Sequence, residues 1–350
     1  MPEPASLYAT AAQRWPARTA FATASRSLTY ADLHERVLKI GGAFAEAGIG
    51  KGDRVATYMS VSLEHVLLLA ACFETDVVAC PINAKLPPAS ATVLAKRLEC
   101  RAVITDTKLD KVPVLNPGKL HDSTAPPASP HAVMPANAGT LILTSGSTGE
   151  PKAAQLSMGN YIANARASNA RVPLRGGDCW LLSLPLHHVS GISTLIRCAM
   201  AGATVFVPER ESPLFESLRA YPVTHVSLVA TQLHRLLSEL EGIKQLQKLK
   251  AVLAGGGPVP RSLIDNAHDA GVPIYLTYGM TETASQIATN TPDCPPAKRY
   301  TAGQALLPDS LRIDENGEIQ VRGPSLLQGY LDSVGLSLPL TADGWFRTGD

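Results

Sequence analysis

Leu141-Ile142-Leu143-Thr144-Ser145-Gly146-Ser147-Thr148-Gly149-Glu150-Pro151-Lys152 begins as three apolar residues and opens into a run of hydroxyls and glycines closed by a lysine. The apolar residues predict the end of a buried strand. Gly146 and Gly149 allow backbone N–H groups to turn inward, Thr144, Ser145, Ser147 and Thr148 supply hydroxyl donors, and Lys152 supplies a mobile positive charge. In chemical terms this is a phosphate loop. It is not the nucleoside-triphosphatase loop, in which lysine directly follows the second glycine, because Glu150 and Pro151 intervene. A hydroxyl-rich surface loop after a strand remains the competing reading of this stretch alone.

Upstream, Leu7 to Arg14 predicts a helix ended by Trp15-Pro16. Thr29 opens a second helix, with Asp32 as its capping carboxylate and Leu33, Val37, Ile40 and Phe44 at helical spacing. Gly48 to Gly52 stops it. Arg54 to Tyr58 predicts a strand, Leu63 to Cys72 an apolar helix, Val77 to Ile82 a strand, and Lys96 to Thr105 a short helix followed by the strand 102–104. Residues 106–139, rich in Pro, Ser, Ala and Asn, read as a connector. Downstream, a helix capped by Ser157 is expected to about Ala170, with Ile162 on its inner face. Strands are expected at 180–184, 223–229, 251–253 and 273–276, and helices at 232–240 and 261–270. Such alternation predicts an α/β protein with mainly parallel sheets. Residues 303–350 read as short strands and turns, with a hairpin at Glu315-Asn316-Gly317-Glu318.

Composition narrows the function classes. The 350 residues are 45% hydrophobic and 17% charged, enough for a sizeable core. The formal charge of +1, from 31 basic and 30 acidic side chains, gives no electrostatic case for nucleic acid or an anionic membrane. No apolar run approaches the roughly 20 residues that span a bilayer. Met1-Pro2-Glu3-Pro4 carries no basic or apolar export signal, and six scattered cysteines suit a reducing compartment, so a cytoplasmic location is expected. The nine histidines show no metal-ligand spacing. Oligomeric state is not legible, and a homo-oligomer is left open.

Three further segments carry chemistry. Pro185-Leu186-His187-His188-Val189-Ser190-Gly191 places a histidine just after a strand, where a satisfied core histidine is the commoner outcome. Gly255-Gly256-Gly257 allows a flat ring to lie on the backbone, or is a tight turn. Tyr278-Gly279-Met280-Thr281-Glu282-Thr283 offers an aromatic face, a hydroxyl, and a carboxylate suited to a hard cation; a solvated surface acid is the alternative for Glu282.

Together, T-S-G-S-T-G-x-P-K, P-x-x-H-x-x-G, the hexapeptide at Tyr278 and the closing Thr348-Gly349-Asp350 resemble the adenylate-forming enzymes: acyl- and aryl-CoA synthetases, adenylation domains and firefly luciferase. The likeness extends along essentially the whole chain. It implies the large N-terminal domain of that fold, with a first α/β part at 1–138, a second at 140–297 carrying the nucleotide motifs, and a small β-barrel at 298–350. By resemblance, the loop from Thr144 to Gly149 holds the β- and γ-phosphates of ATP, and Lys152 neutralises the departing pyrophosphate. Gly255, Gly256 and Gly257 contact adenine, on which Tyr278, within the segment Tyr278-Gly279-Met280, stacks. Thr281 reaches the α-phosphate, Glu282 holds Mg2+, Asp350 takes the ribose hydroxyls, and His188 borders the acid.

The resemblance also implies a further lobe, with its own lysine and a surface for the thiol acceptor, that these 350 residues do not include. A trimmed chain that binds nucleotide but turns over poorly is therefore expected. The expected reaction is attack of a carboxylate on ATP, followed by transfer of the acyl group to coenzyme A. Leu181 to Gly191 and Thr231 to Leu237 are most similar to the branch of the family that acts on 2-succinylbenzoate, an acid of menaquinone biosynthesis. His187 departs from that branch, where an aromatic residue is usual. A second carboxylate on the acid would require a cation, for which Arg235 is the candidate, with Ser190 as a hydrogen-bond partner. Other aryl or fatty acyl-CoA ligases and carrier-protein-loading adenylation domains share the same motifs.

Overall fold

A computed structural model describes residues 6–128, 135–144, 151–209 and 212–350. Local sequence logic is visible at once in its helices. Thr29 and Asp32 form a reciprocal capping box at the start of Tyr30–Glu46, and Leu33, Val37, Ile40 and Phe44 point inward. The first helix spans Leu7–Arg14, as the Trp15-Pro16 signal predicts. Ser157 and Asn160 make a second capping box on Met158–Arg171, whose inner face is carried by Tyr161, Asn164, Ala165 and Ser168, with Ile162 half-buried beside them. Not every expectation holds: residues 106–139, read as a connector, contain the strand Val114–Leu115 and the short helix Pro117–His121. The helix placed near residue 96 instead runs Pro88–Arg97, because Pro88 takes the first helical position, where its missing N–H costs nothing.

Two large sheets organise the chain. An eight-stranded sheet has the order Leu336–Ser337, Gly329–Leu331, Lys152–Ser157, Ala138–Thr144, Val78–Pro81, Arg54–Thr57, Ala102–Ile104 and Val114–Leu115. A nine-stranded sheet runs Gln304–Ala305, Ser285–Thr289, Ile274–Met280, Ala251–Ala254, His225–Leu228, Cys179–Leu181, Thr204–Phe206, Thr19–Ala22 and Ser27–Thr29. Central pairs in both are parallel; antiparallel strands close both edges of the nine-stranded sheet and one edge of the eight-stranded sheet, whose other edge strand, Val114–Leu115, is parallel. Leu311–Ile313, Ile319–Val321 and Phe346–Arg347 make a three-stranded antiparallel sheet, joined through the Asn316-Gly317 turn. In place of the expected barrel, the β-rich tail thus takes the form of this small sheet, plus two strands lent to the eight-stranded sheet and one, Gln304–Ala305, to the nine-stranded sheet.

The chain does not fill these sheets in consecutive blocks. Thr19–Ala22, from the first part, pairs with Thr204–Phe206, and Gly329–Leu331, from the last, pairs with Lys152–Ser157. Alternation sorts each strand's side chains to two faces. Val55, Ala79 and Ile142 from one sheet and Phe21, Trp180 and Leu253 from the other share a central core with helices Tyr30–Glu46, Leu63–Glu74, Met158–Arg171 and Val189–Ala201. Opposite-face residues such as Val226 and Val252, or Ala56 and Val103, pack on outer helices in two further cores. The result is a layered α/β arrangement in which the sheets' carboxyl-terminal edges deliver the motif segments to a common cleft.

Candidate active site

Ile274–Met280 ends in a single turn of 3-10 helix, Thr281–Thr283, and returns as Ser285–Thr289. The hairpin is tight enough that a Cβ on Gly279 would lie 2.1 Å from the Ser285 carbonyl oxygen. Neighbouring helices fix it from behind. The Asn164 side-chain amide donates to the Thr283 and Gln286 carbonyls at 2.9 and 2.7 Å, and the Ser193 hydroxyl donates to the Ala284 carbonyl at 2.6 Å. Ala284 itself is left-handed, with φ of 58°. A strained, multiply anchored turn of this kind holds Thr281 and Glu282 in place without a ligand.

The turn borders a cavity of about 1050 Å³, lined among others by Thr144, Lys152, His188, Met280, Thr281, Glu282, Tyr330 and Asp350. Residues more than 200 positions apart in sequence therefore share one cleft. Ser145, Gly146, Ser147, Thr148 and Gly149 lie outside the described residues; Thr144 and Lys152, which flank that loop, stand opposite each other across two antiparallel strands. Asp350 accepts a hydrogen bond from the Tyr278 hydroxyl at 2.7 Å. Burial first, and then the Asp350 carboxylate, push that phenol up to about 12. Glu282 is 7% exposed, and its Oε1 accepts from the Tyr330 hydroxyl at 2.5 Å. Lys152 lies over the Tyr330 ring, its Nζ 5.0 Å from the centroid.

A second cavity of about 720 Å³ adjoins the first. Both are lined by His188, Met280 and Thr281, so these three mark the junction. His188 reaches it because Gly191 lets the chain double back: a Cβ there would meet the Pro185 carbonyl oxygen at 2.3 Å. Desolvation lowers the His188 pKa, leaving a neutral imidazole at the junction. His187 lines, with His65, a third cavity that adjoins the second at Lys85, Ser183, Leu184, Pro185 and Gln232. Ser190, Gly255 and Gly256 line the second cavity, whereas Gly257 and Tyr278 line neither of the two. Gly255 and Gly256 thus border the second cavity, and Tyr278 reaches the first through its bond to Asp350.

Arg235 does not join them. On the helix Ala230–Leu237 the buried positions are Leu233 and Leu236, and Arg235 falls on the exposed face. Two cations line the second cavity, the exposed Lys85 and, on the helix Val189–Ala201, Arg197, which is 1% exposed. Its guanidinium carbon sits 4.9 Å from the Trp180 ring centroid, and Trp180 stacks in turn on His225 at 5.1 Å. Arg197 Nε and Nη2 have no hydrogen-bond partner among the described residues. Burial lowers its pKa to about 10, so it stays charged at neutral pH. The sequence signal was there: a single cation in an otherwise uncharged helix, Val189 to Ala201, that the expected strands and helices leave unassigned.

An AMP-binding enzyme family model matches residues 8–331. This chain belongs to the AMP-binding enzyme family. Over 352 aligned positions it is 33% identical to a 2-succinylbenzoate–CoA ligase of Bacillus cytotoxicus, covering 96% of this chain and 73% of that protein. Its fold matches o-succinylbenzoate CoA synthetase of Bacillus subtilis in complex with the acyl-adenylate intermediate, with a TM-score of 0.88 at 30% identity, covering 98% of this chain and 94% of that one. The same Bacillus subtilis protein in complex with ATP and magnesium ion matches with a TM-score of 0.88 at 29% identity, covering 99% and 76%. The mixed α/β architecture of this AMP-binding enzyme is thus that of the family.

Of the three carboxylates that line the first cavity, Glu282, Glu318 and Asp350, Asp350 is engaged by Tyr278, and so sparse a donor set suits Mg2+ better than a metal that needs a protein cage. Magnesium commonly takes one or two carboxylates and completes its shell with phosphate oxygens and water. Among the described residues no cluster of three or more acidic, histidine or cysteine side chains could hold a metal alone.

Proposed function

We propose that this AMP-binding enzyme activates 2-succinylbenzoate with ATP and transfers the acyl group to coenzyme A. In the first step a carboxylate oxygen forms a bond to the α-phosphorus while the bond from α-phosphorus to the bridging oxygen breaks, releasing pyrophosphate and leaving an acyl-adenylate. In the second, the sulfur of coenzyme A bonds to the acyl carbon, AMP departs with the former carboxylate oxygen, and the thiol proton is lost to solvent. Little acid–base chemistry is required, so positioning and charge neutralisation carry the rate. Bound Mg2+ would supply charge neutralisation at the phosphates, held by Glu282. Asp350 accepts from the ribose hydroxyls, Thr281 donates at the α-phosphate, Lys152 faces the departing pyrophosphate, and neutral His188 lines the point where the two cavities meet.

The observation that carries the choice of acid is Arg197. A buried guanidinium without a partner is costly, and a ligand carboxylate would offset that cost with bidentate charge-assisted hydrogen bonds. An acid bearing a second carboxylate supplies one; a fatty acid does not, and would leave the charge stranded. The name of the Bacillus cytotoxicus relative supports the same acid. Calorimetric titration with a hydrolysis-resistant analogue of the 2-succinylbenzoyl adenylate tests this. Arg197→Met should weaken binding by roughly 10- to 100-fold, the scale of one hydrogen bond to a charged group. The ligand-free variant should be no less stable in urea, since it loses an unpaired buried charge. Equal affinity of the unaltered chain for an analogue lacking the second carboxylate would sink the proposal.

A further inference from the structure

Tyr330 belongs to none of the motifs that identify the nucleotide cavity, yet it touches two of that cavity's charged groups. Its strand, Gly329–Leu331, pairs antiparallel with Lys152–Ser157, with Tyr330 opposite Ala154. Lys152 lies two residues before Ala154 and so on the same face of its strand, which makes Tyr330 and Lys152 diagonal neighbours. From that place the phenol spans the cleft floor. The hydroxyl donates to Glu282 Oε1 at 2.5 Å, and the ring face carries the Lys152 ammonium 5.0 Å from its centroid. Tyr330 is the one hydrogen-bond partner found for the Glu282 carboxylate among the described residues. The ring is braced in turn by Phe346, with centroids 6.4 Å apart.

We infer that Tyr330 is a positioning residue with two functions: its hydroxyl fixes Glu282 for the cation, and its ring fixes Lys152 for the phosphates. A hydroxyl that claims Oε1 sets the plane of the carboxylate and leaves Oε2 as the oxygen for Mg2+, the usual logic of a group held behind a metal ligand. The ring holds Lys152 by a cation–π contact that leaves the ammonium hydrogens free for phosphate oxygens. The inference rests on the ATP and magnesium reading given above.

Two variants separate the functions. Tyr330→Phe removes the hydroxyl and keeps the ring; Tyr330→Leu removes both. ATP binding is measured by calorimetry in EDTA and across a Mg2+ titration. Tyr330→Phe should raise the apparent Mg2+ dissociation constant by about tenfold and leave ATP affinity in EDTA unchanged. Tyr330→Leu should raise the Mg2+ constant similarly and also weaken ATP in EDTA by about threefold, the scale of a partly exposed cation–π contact. With Glu282→Gln already in place, adding Tyr330→Phe should shift the Mg2+ constant by less than about twofold, because the two side chains act as one unit. A Mg2+ titration unmoved by Tyr330→Phe overturns the inference, as does equal weakening of ATP with and without Mg2+, or full additivity with Glu282→Gln. Absence of any Mg2+-dependent ATP binding in the unaltered chain is a different failure: it removes the nucleotide reading itself, and the role of Tyr330 with it.

Discussion

His65 shows how a single buried side chain sets a condition on the whole protein. It is 2% exposed, with Nε2 2.9 Å from the Thr57 hydroxyl, and burial pushes its pKa down to about 4, with His187 nearby acting in the same direction. Above pH 6.5 the ring is neutral in both folded and unfolded chains, and His65 leaves stability unchanged with pH. As pH falls from 6.5 towards 4 the unfolded chain takes up the proton first, so stability is lost across that window. Between pH 7 and 5 the loss from this residue is about 2 kcal/mol. Urea unfolding of His65→Gln should show a correspondingly shallower fall than the unaltered chain; parallel curves would refute the assignment. Arg197 belongs to the same class of residue, buried at a cost that only a partner can relieve.

At the scale of the element, helix ends are set by a few side chains whose work is local. The Asp32 backbone N–H donates to Thr29 Oγ1 at 3.1 Å, and Asp32 Oδ2 accepts from the Thr29 N–H at 3.0 Å. The Thr29 hydroxyl, which donates to Asp32 Oδ2 at 2.7 Å, and then the Thr29 N–H hold the Asp32 carboxyl below its ordinary range. Thr29→Ala should cost about 1 kcal/mol in denaturant unfolding, and Thr29→Ser close to nothing. Such caps were legible in the sequence because donor and acceptor are three residues apart. The same holds for the Ser157 cap and for the Asn316-Gly317 turn, where Gly317 has φ of 86°. The helix Val189–Ala201 was not, although it delivers Arg197 and Ser190 to the second cavity. Apolar almost all round, it lacks the polar face that makes a helix recognisable by period.

On the scale of the whole molecule, the sheets interleave the chain. Strands from residues 19–29 complete a sheet otherwise built from 179–305, and strands from 329–337 complete one built from 54–157. Neither sheet can form from a contiguous half of the chain. Unfolding followed by tryptophan fluorescence and by circular dichroism should therefore give one coincident transition. Removal of residues 324–350 should broaden it, since Tyr330 and its strand leave the edge of the eight-stranded sheet. Two separated transitions in the unaltered chain would contradict this linkage.

The sequence alone determined what depends on neighbours in the chain: the α/β alternation, the helix caps, and the motifs whose order identifies the family. Only tertiary structure decided which distant side chains meet. It placed Arg197 rather than Arg235 at the second cavity, lined that cavity with Gly255 and Gly256, and set the Tyr330 hydroxyl against Glu282, 48 residues away. The reason is physical. Those contacts follow from strand order and register, which are set by how the two sheets bury their apolar faces, and no local spacing encodes that choice.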